Sequence, residues 1–208
     1  MRKLSPIAAA VVVVSLLSAR AQEPPTLEIF KSPDGGFQFV YPETYELLTG
    51  ERILKATQGR HVVLPVCDFS KAMACVIYPV ETERETRLEA AGFSVDAVAG
   101  VANEADCLAF SDPSGRSLGT EPQTSVSINA RLFRHTSVMK RLPGHIQAAD
   151  FYRVFTRQKC YQLQIAVSVA DAPVPQKVAQ SSSLADAAVN TARESLRLIL
   201  SSVVFGKE

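Results

Sequence analysis

The sequence lacks several short motifs that mark widespread enzyme families. It contains no P-loop, no glycine-rich dinucleotide fingerprint and no HExxH zinc motif. It also has no CxxC pair, which argues against the usual thiolate zinc sites. These absences exclude the families that carry such motifs, and they leave open the families that have no short signature. On this basis we predict no cofactor and no metal.

The first residues have the order of a secretory targeting segment. Arg2 and Lys3 precede an apolar stretch from Ile7 to Leu17, and Ala19-Arg20-Ala21 fits a small-x-small cleavage site. We therefore predict a signal peptide over residues 1–21. A retained N-terminal anchor stays open as the alternative, although the stretch is short for a bilayer span. No cysteine follows the stretch closely, so lipoprotein anchoring is not supported.

The remainder has the size of one domain. We assign residues 22–31 to a leader and residues 32–206 to a single exported domain, long enough to bury a core. Processing would lower the formal net charge from +1 to −2, because three basic residues leave with the signal peptide. A near-neutral domain offers no electrostatic argument for nucleic acid. No second apolar stretch could span a membrane, so the expected location is secreted or periplasmic.

Four cysteines lie in the exported part, and an even number in an oxidising compartment favours two disulfides. Of three pairings, we favour Cys67 with Cys75, because they bracket a short polar loop between the apolar runs His61–Val66 and Cys75–Val80. Cys107 with Cys160 then follows by elimination. A thiolate metal site is the less favoured alternative.

The centre of the chain predicts three successive strands. Residues 128–142, 148–156 and 161–169 show period-two alternation or aromatic and β-branched enrichment, and turn residues separate them. The alternation is clearest from Tyr161 to Val169, which predicts one buried and one wetter face. We expect these strands to form the middle of an antiparallel sheet.

The last long segment predicts an amphipathic helix that lies on this sheet. Ser183 is a suitable N-cap, and Gly206 marks the end of the domain. The apolar positions expected on one face are Ala185, Ala188, Val189, Ala192, Leu196, Ile199, Leu200 and Val203. The fold class that follows is α+β, with an antiparallel sheet covered by helices.

The segment Gly36-Phe37-Gln38-Phe39-Val40-Tyr41-Pro42 resembles the opening of PsbP-like domains. The amphipathic helix that leads to Val203-Val204-Phe205 is similar to their closing helix and strand. The resemblance implies antiparallel sheets covered by helices. Members of that family include a photosystem accessory subunit and a nuclear Ran-binding protein, so the fold does not specify one function. The resemblance transfers no functional residue to this chain.

Two histidines and one aspartate are the candidates for catalysis. If Leu142-Pro143-Gly144 closes a tight hairpin, His135 lies near Asp150 across the strands, and His145 lies near Lys140. A carboxylate beside an imidazole can orient it for base chemistry or for a metal. The ordinary interpretation of such a pair is two favourable cross-strand neighbours.

Several basic and aromatic residues crowd the same strands. Arg131, Arg134, Tyr152 and Arg153 are the candidates for contact with a ligand or a partner. On one face, the arginines would form a basic strip for an acidic partner, and otherwise they form an ordinary solvated face.

The hypothesis we favour is a non-catalytic binding or accessory domain of the cell envelope, with an envelope protein or a small ligand as its partner. The alternative is a small-molecule- or metal-dependent enzyme that uses His135, His145 and Asp150. The enzyme hypothesis requires these side chains to converge in one pocket. The binding hypothesis requires an exposed apolar or basic patch.

Overall fold

A computed structural model provides the coordinates of the chain. It describes residues 25–50, 52, 67, 72–80, 88–109, 119–120, 122–171 and 181–206. The predicted signal peptide and the apolar run His61–Val66 lie outside the described residues.

The described chain forms two antiparallel sheets and two helices. The strands are β1 (Leu27–Lys31), β2 (Phe37–Pro42), β3 (Glu46–Thr49), β4 (Ala72–Ile77), β5 (Leu88–Val98), β6 (Gly119–Thr120), β7 (Thr124–Ile128), β8 (Arg131–Leu142), β9 (His145–Thr156), β10 (Lys159–Ala170) and β11 (Val204–Phe205); the helices are α1 (Glu104–Leu108) and α2 (Ser181–Ser201). The small sheet has the order β1-β2-β11. The large sheet has the order β3-β4-β5-β10-β9-β8-β6, and β7 also pairs with β8. The α+β class is confirmed.

The small sheet and α2 form one layer, which covers one face of the large sheet. Phe37 and Phe39 of β2 belong to the same buried cluster as Leu163 of β10 and Leu196 of α2. We call this face of the large sheet the helix face and the opposite face the far face. Helix α2 begins at Ser181, two residues before the predicted cap, and its buried residues Ala188, Ala192, Leu196, Ile199 and Leu200 belong to the predicted apolar set.

The three central strands are confirmed as β8, β9 and β10, but the expectation of one wetter face on β10 is wrong. Gln162 and Gln164 are buried on the far face, as Tyr161 and Leu163 are buried on the helix face. The short helix α1 packs near β9 on the far face, where Cys107 meets Cys160. The polar residues of β10 therefore do not indicate a solvent-exposed face.

The first strand corrects the leader assignment. Residues 27–31 form β1, which pairs with β2 along its whole length, from Leu27 opposite Pro42 to Lys31 opposite Gln38. Phe30 turns inward and packs against Phe39, with ring centroids 5.0 Å apart. One inward aromatic residue and a complete backbone ladder suffice to order a segment that the sequence pattern placed outside the domain.

The structure joins the cysteines in the two favoured pairs. The Cα atoms of Cys67 and Cys75 are 6.2 Å apart, and those of Cys107 and Cys160 are 5.5 Å apart. Cys107 lies on α1, where the side chain of Asn103 caps the helix by accepting a hydrogen bond from the N–H of Asp106. The second disulfide therefore fastens α1 to the central strand β10.

The hairpin between β9 and β10 has an unusual backbone. Its two turn residues, Arg157 and Gln158, have φ angles of 52° and 57°, in the left-handed region that favours glycine. Contacts to the β1–β2 turn hold the hairpin in place. Arg157 donates to the carbonyl oxygen of Gly35 at 3.0 Å, and Lys159 pairs with Asp34 at 2.9 Å.

Replacing Gln158 with glycine is expected to raise the free energy of unfolding by about 0.5–1 kcal/mol, because glycine adopts positive φ without a Cβ clash. Urea unfolding followed by circular dichroism measures the change. The matched control is Gln38→Gly on β2, an exposed glutamine in extended backbone, where the same substitution should lower stability by a similar amount. Destabilisation by both changes would contradict the prediction.

Candidate functional site

Side chains from β8, β9 and α2 meet on the helix face of the large sheet. His135 lies opposite Tyr152 in the strand register, and Ser137 lies opposite Asp150. Residues two apart on a strand share a face, so all four project to the same side. Arg193 reaches them from α2. We call these five residues the histidine–aspartate cluster.

Asp150 is the centre of the cluster. One carboxylate oxygen, Oδ1, accepts a hydrogen bond from the hydroxyl of Ser137 at 2.6 Å, and Oδ2 accepts one from Arg193 at 2.6 Å. Only 4% of the side chain is exposed. Burial acts to raise the pKa of Asp150, but the hydrogen bonds from Ser137 and Arg193 and the charges of Arg193 and His135 outweigh it, and the pKa is lowered. Asp150 is therefore an ionised, buried carboxylate.

His135 is held on several sides. Its ring stacks on Tyr152, with centroids 4.6 Å apart and planes 30° apart. Nδ1 lies 3.2 Å from the hydroxyl of Thr124, and Nε2 lies 3.4 Å from the hydroxyl of Ser137. Nε2 is also 3.6 Å from Oδ1 of Asp150. Both ring nitrogens thus face polar groups of the protein itself.

The order of these contacts differs from that of a nucleophilic triad. The hydroxyl of Ser137 donates to Asp150, so its oxygen is left to accept a hydrogen bond from Nε2 of His135. An imidazole that donates to the serine oxygen does not take the proton of that hydroxyl, as the base of a triad would. In this geometry, the cluster joins β8, β9 and α2 through the buried carboxylate of Asp150.

Tyr152 completes the wall of the cluster. Burial raises the pKa of its phenol, and the nearby negative charge of Asp150 adds to this, while Arg193 and Arg197 act against it. The tyrosine is therefore a neutral aromatic surface for the histidine ring.

His135 was predicted to lie near Asp150 across the strands, and the two are diagonal neighbours in the β8–β9 register: His135 pairs with Tyr152, and Asp150 pairs with Ser137. Pro143 and Gly144 are the two turn residues, and Gly144 has a φ of 80°. A turn with proline first and a positive-φ glycine second is type II. This geometry makes Leu142 the partner of His145, and it sets the register of the whole hairpin.

His145 lies far from the cluster. It pairs with Ala170 at the turn end of β9, and its Nδ1 is 2.6 Å from the carboxylate of Glu89. Ser168 donates to the same carboxylate at 3.1 Å. Because an odd number of positions separates His145 from Asp150 on one regular strand, the two side chains project to opposite faces. The expected neighbour of His145, Lys140, instead pairs with Gln147.

The basic candidates do not form one strip. Arg131 is on the helix face, where it donates to the hydroxyl of Thr156 at 2.8 Å and lies 5.8 Å from the centre of the Phe205 ring. Arg134 and Arg153 pair across β8 and β9 on the far face. Burial lowers the pKa of Arg153. The predicted contact set of Arg131, Arg134, Tyr152 and Arg153 is therefore divided between two faces.

Among the described residues, no group of three or more histidine, cysteine, aspartate or glutamate side chains has the geometry of a metal site. No helix in the described part of the chain is long and apolar enough to cross a bilayer.

The sequence analysis missed two features. Arg193 was not among the predicted site residues. Ala192, the residue before it, belongs to the predicted apolar face of the helix and was the one sign that the stem of Arg193 starts close to the sheet. The second feature is the spacing Gly115-x-Ser117-x-Gly119, which matches the nucleophile elbow of hydrolases. An elbow needs a helix directly after the serine, whereas this chain enters strand β6 at Gly119.

No protein-family model and no curated protein matches the chain. Among solved structures, LpqN of Mycobacterium tuberculosis, described as involved in cell envelope biogenesis, matches with 10% identity and a TM-score of 0.47, over 88% of this chain and 91% of LpqN. PsbP of the cyanobacterium Synechocystis sp. PCC 6803 matches with 10% identity and a TM-score of 0.40, over 92% and 99% of the two chains. The Saccharomyces cerevisiae Ran-binding protein Mog1p matches with 11% identity and a TM-score of 0.43, over 88% and 96%. The loose PsbP-like resemblance is confirmed at this level, and it concerns only the fold.

Proposed function

We propose that this chain is a non-catalytic binding or accessory domain of the cell envelope. The observation that carries the proposal is a set of exposed apolar side chains on the outward side of the layer formed by the small sheet and α2. They are Leu27, Ile29, Leu198 and Val204. We call this the outward surface. Exposed apolar groups gathered on one side of a domain are typical of a surface that another molecule covers.

The positions of these four residues follow from the fold. Leu27 and Ile29 alternate with the inward Phe30 on β1, and Val204 precedes the buried Phe205 on β11. Leu198 projects from α2 on the side opposite the buried Leu196, because two steps of about 100° place the two residues about 160° apart around the helix axis. All four therefore point away from the large sheet.

The enzyme alternative has less support from the geometry. It needs His135, His145 and Asp150 in one pocket, and His145 projects to the other face of the sheet. Both oxygens of Asp150 hold neighbouring elements. The histidine–aspartate cluster is thus accounted for by its part in fixing α2 on the sheet.

Export from the cytoplasm is part of the proposal. The two cysteine pairs at disulfide distance support it, since disulfides persist in oxidising compartments. The predicted targeting segment supports it independently.

A site-specific cross-linking experiment tests the binding role. A photoreactive amino acid at Leu198, in the protein expressed in its native host, is expected to cross-link to another envelope component. The matched control is the same replacement at Leu132 on the far face, because 68% of Leu132 is exposed against 72% of Leu198. The outcome that contradicts the proposal is no cross-link from Leu198, or equal cross-links from both positions.

His135→Asn, combined with the Leu198 probe, separates the two hypotheses. A binding domain should keep its cross-linked product in this variant, because His135 lies beneath the layer and away from the outward surface. Loss of the product with the fold intact would connect the cluster to the ligand and would support the alternative.

A further inference from the structure

The outer edge of β1 presents open backbone groups. The carbonyl oxygen of Thr26 accepts a hydrogen bond from the N–H of Glu43 at 2.9 Å, so the backbone of Thr26 faces β2. Backbone groups alternate along an antiparallel strand, so every second residue from Thr26 onward also faces β2. The residues in between turn their backbone N–H and C=O groups away from β2, toward an edge with which no strand of the described residues pairs. They are Leu27, Ile29 and Lys31.

This edge lacks most of the usual protection. Exposed edges are commonly blunted by proline, by bulges or by several charged side chains. Strand β1 pairs with β2 in an unbroken register, and its outward side chains are two apolar residues followed by Lys31. Leu27 is 59% exposed and Ile29 is 63% exposed. The edge is thus regular, apolar and accessible.

We propose that β1 pairs with β1 of a second copy of this chain, antiparallel, about a twofold axis that passes between the two Ile29 residues. Leu27 of one copy then lies opposite Lys31 of the other. In this register, every open N–H and C=O of the two edges finds a partner. The two small sheets become one continuous sheet, and the apolar side chains of both copies lie on the same side of it.

Charge favours this register over its neighbours. A shift of two residues in one direction places the two Glu28 residues opposite each other and leaves Lys31 without a partner. The opposite shift leaves Leu27 without one. In the proposed register, Glu28 lies opposite Phe30 of the other copy, and no two like charges face each other directly. Glu28 is also already bound by the hydroxyl of Tyr41 in its own chain.

The association is expected to be reversible. A pairing of five-residue strands is small beside the roughly 1,200–2,000 Å² that stable complexes bury. The dimer should therefore form as the concentration rises. This inference does not depend on the accessory role proposed above, because a purified protein can dimerise whether or not it binds an envelope component.

Sedimentation velocity of the protein purified after expression of the full chain provides the first test. Wild type is expected to change from monomer to dimer between micromolar and millimolar concentration. Ile29→Pro removes an N–H that faces the open edge and none that faces β2, so it should stay monomeric with an unchanged thermal midpoint. Leu198→Ser removes an apolar group elsewhere that is at least as exposed as Ile29, and this variant should still dimerise.

Cysteine trapping tests the register. Ile29→Cys should form a disulfide-linked dimer, since directly opposed residues in a hydrogen-bonded pair have Cα atoms about 5.5 Å apart. Leu27→Cys alone should not, but a mixture of Leu27→Cys and Lys31→Cys should. The proposal is overturned if wild type stays monomeric throughout, if Ile29→Pro still dimerises, if Leu27→Cys alone links as well as Ile29→Cys, or if a different protein occupies the edge of the monomer.

Discussion

Replacing Arg193 with methionine is expected to lower the free energy of unfolding by about 3 kcal/mol. The substitution keeps most of the side-chain volume and removes the guanidinium that bonds to Oδ2 of Asp150 at 2.6 Å. A carboxylate left in a buried site without its cation costs about 3–5 kcal/mol. We take the lower end, because 30% of the Arg193 side chain is exposed and water can reach the pair. Urea unfolding at neutral pH measures the loss.

Arg197 provides the matched control for this experiment. It lies one turn further along α2 and is exposed. Arg197→Met should therefore change stability by less than about 0.5 kcal/mol. If both substitutions lower the free energy of unfolding equally, the loss comes from removing a positive charge from α2 and not from breaking the bond with Asp150.

The pH dependence gives the same interaction a second test. The pKa of Asp150 is lower in the folded state, so its ionised form contributes stability that is complete above the unfolded pKa of about 3.9. That contribution is lost as the pH falls through the folded pKa. Wild type should thus exceed Asp150→Asn in stability at pH 7, and the difference should shrink as the pH falls below about 4. A difference that stays constant from pH 7 to pH 3 would show that the charge of Asp150 is not the cause.

The cluster also shows how far the sequence predicts a site. The closeness of His135 and Asp150 followed from a hairpin signal in a short segment of chain. The exact register depends on the turn, because Pro143 and Gly144 as its two central residues make Leu142 the partner of His145. Arg193 is 43 residues from Asp150 in the chain. Its contact with Asp150 depends on the orientation of α2 about its own axis on the sheet. The helical period of the sequence does not fix that orientation closely enough to decide which of two adjacent residues faces Asp150.

The buried faces of β10 illustrate a second limit. Alternation of apolar and polar residues predicted a strand correctly, because the two faces of a strand differ in chemistry. The alternation did not predict which face of β10 is exposed, because the residues that cover the far face come from elsewhere in the chain. One example is the disulfide between Cys107 and Cys160, which fastens α1 against this face. The edge strand β1 shows the opposite error, since a short segment within the predicted leader gains its order from the neighbouring strand β2.

Removing the disulfide between Cys107 and Cys160 is expected to have the largest effect of all. The two residues are 53 positions apart, so the bond closes a long loop in the unfolded chain. The chain-entropy relation gives about 4 kcal/mol for a loop of this length. Cys107→Ala with Cys160→Ala should lose about that amount in urea unfolding without reductant. Helix α1 should also become more sensitive to proteases, because a helix of five residues has little stability of its own.

The other disulfide provides the internal control. Cys67 and Cys75 are 8 positions apart, for which the same relation gives about 2.6 kcal/mol. Both pairs are fully buried, so the packing change on replacing each with alanine is similar in kind. Removing the disulfide that closes the long loop should therefore lower the free energy of unfolding by about 1.5 kcal/mol more than removing the one that closes the short loop. Equal losses would mean that the bonds act through native packing, and α1 would then be held by its contacts with β9 more than by its covalent link to β10.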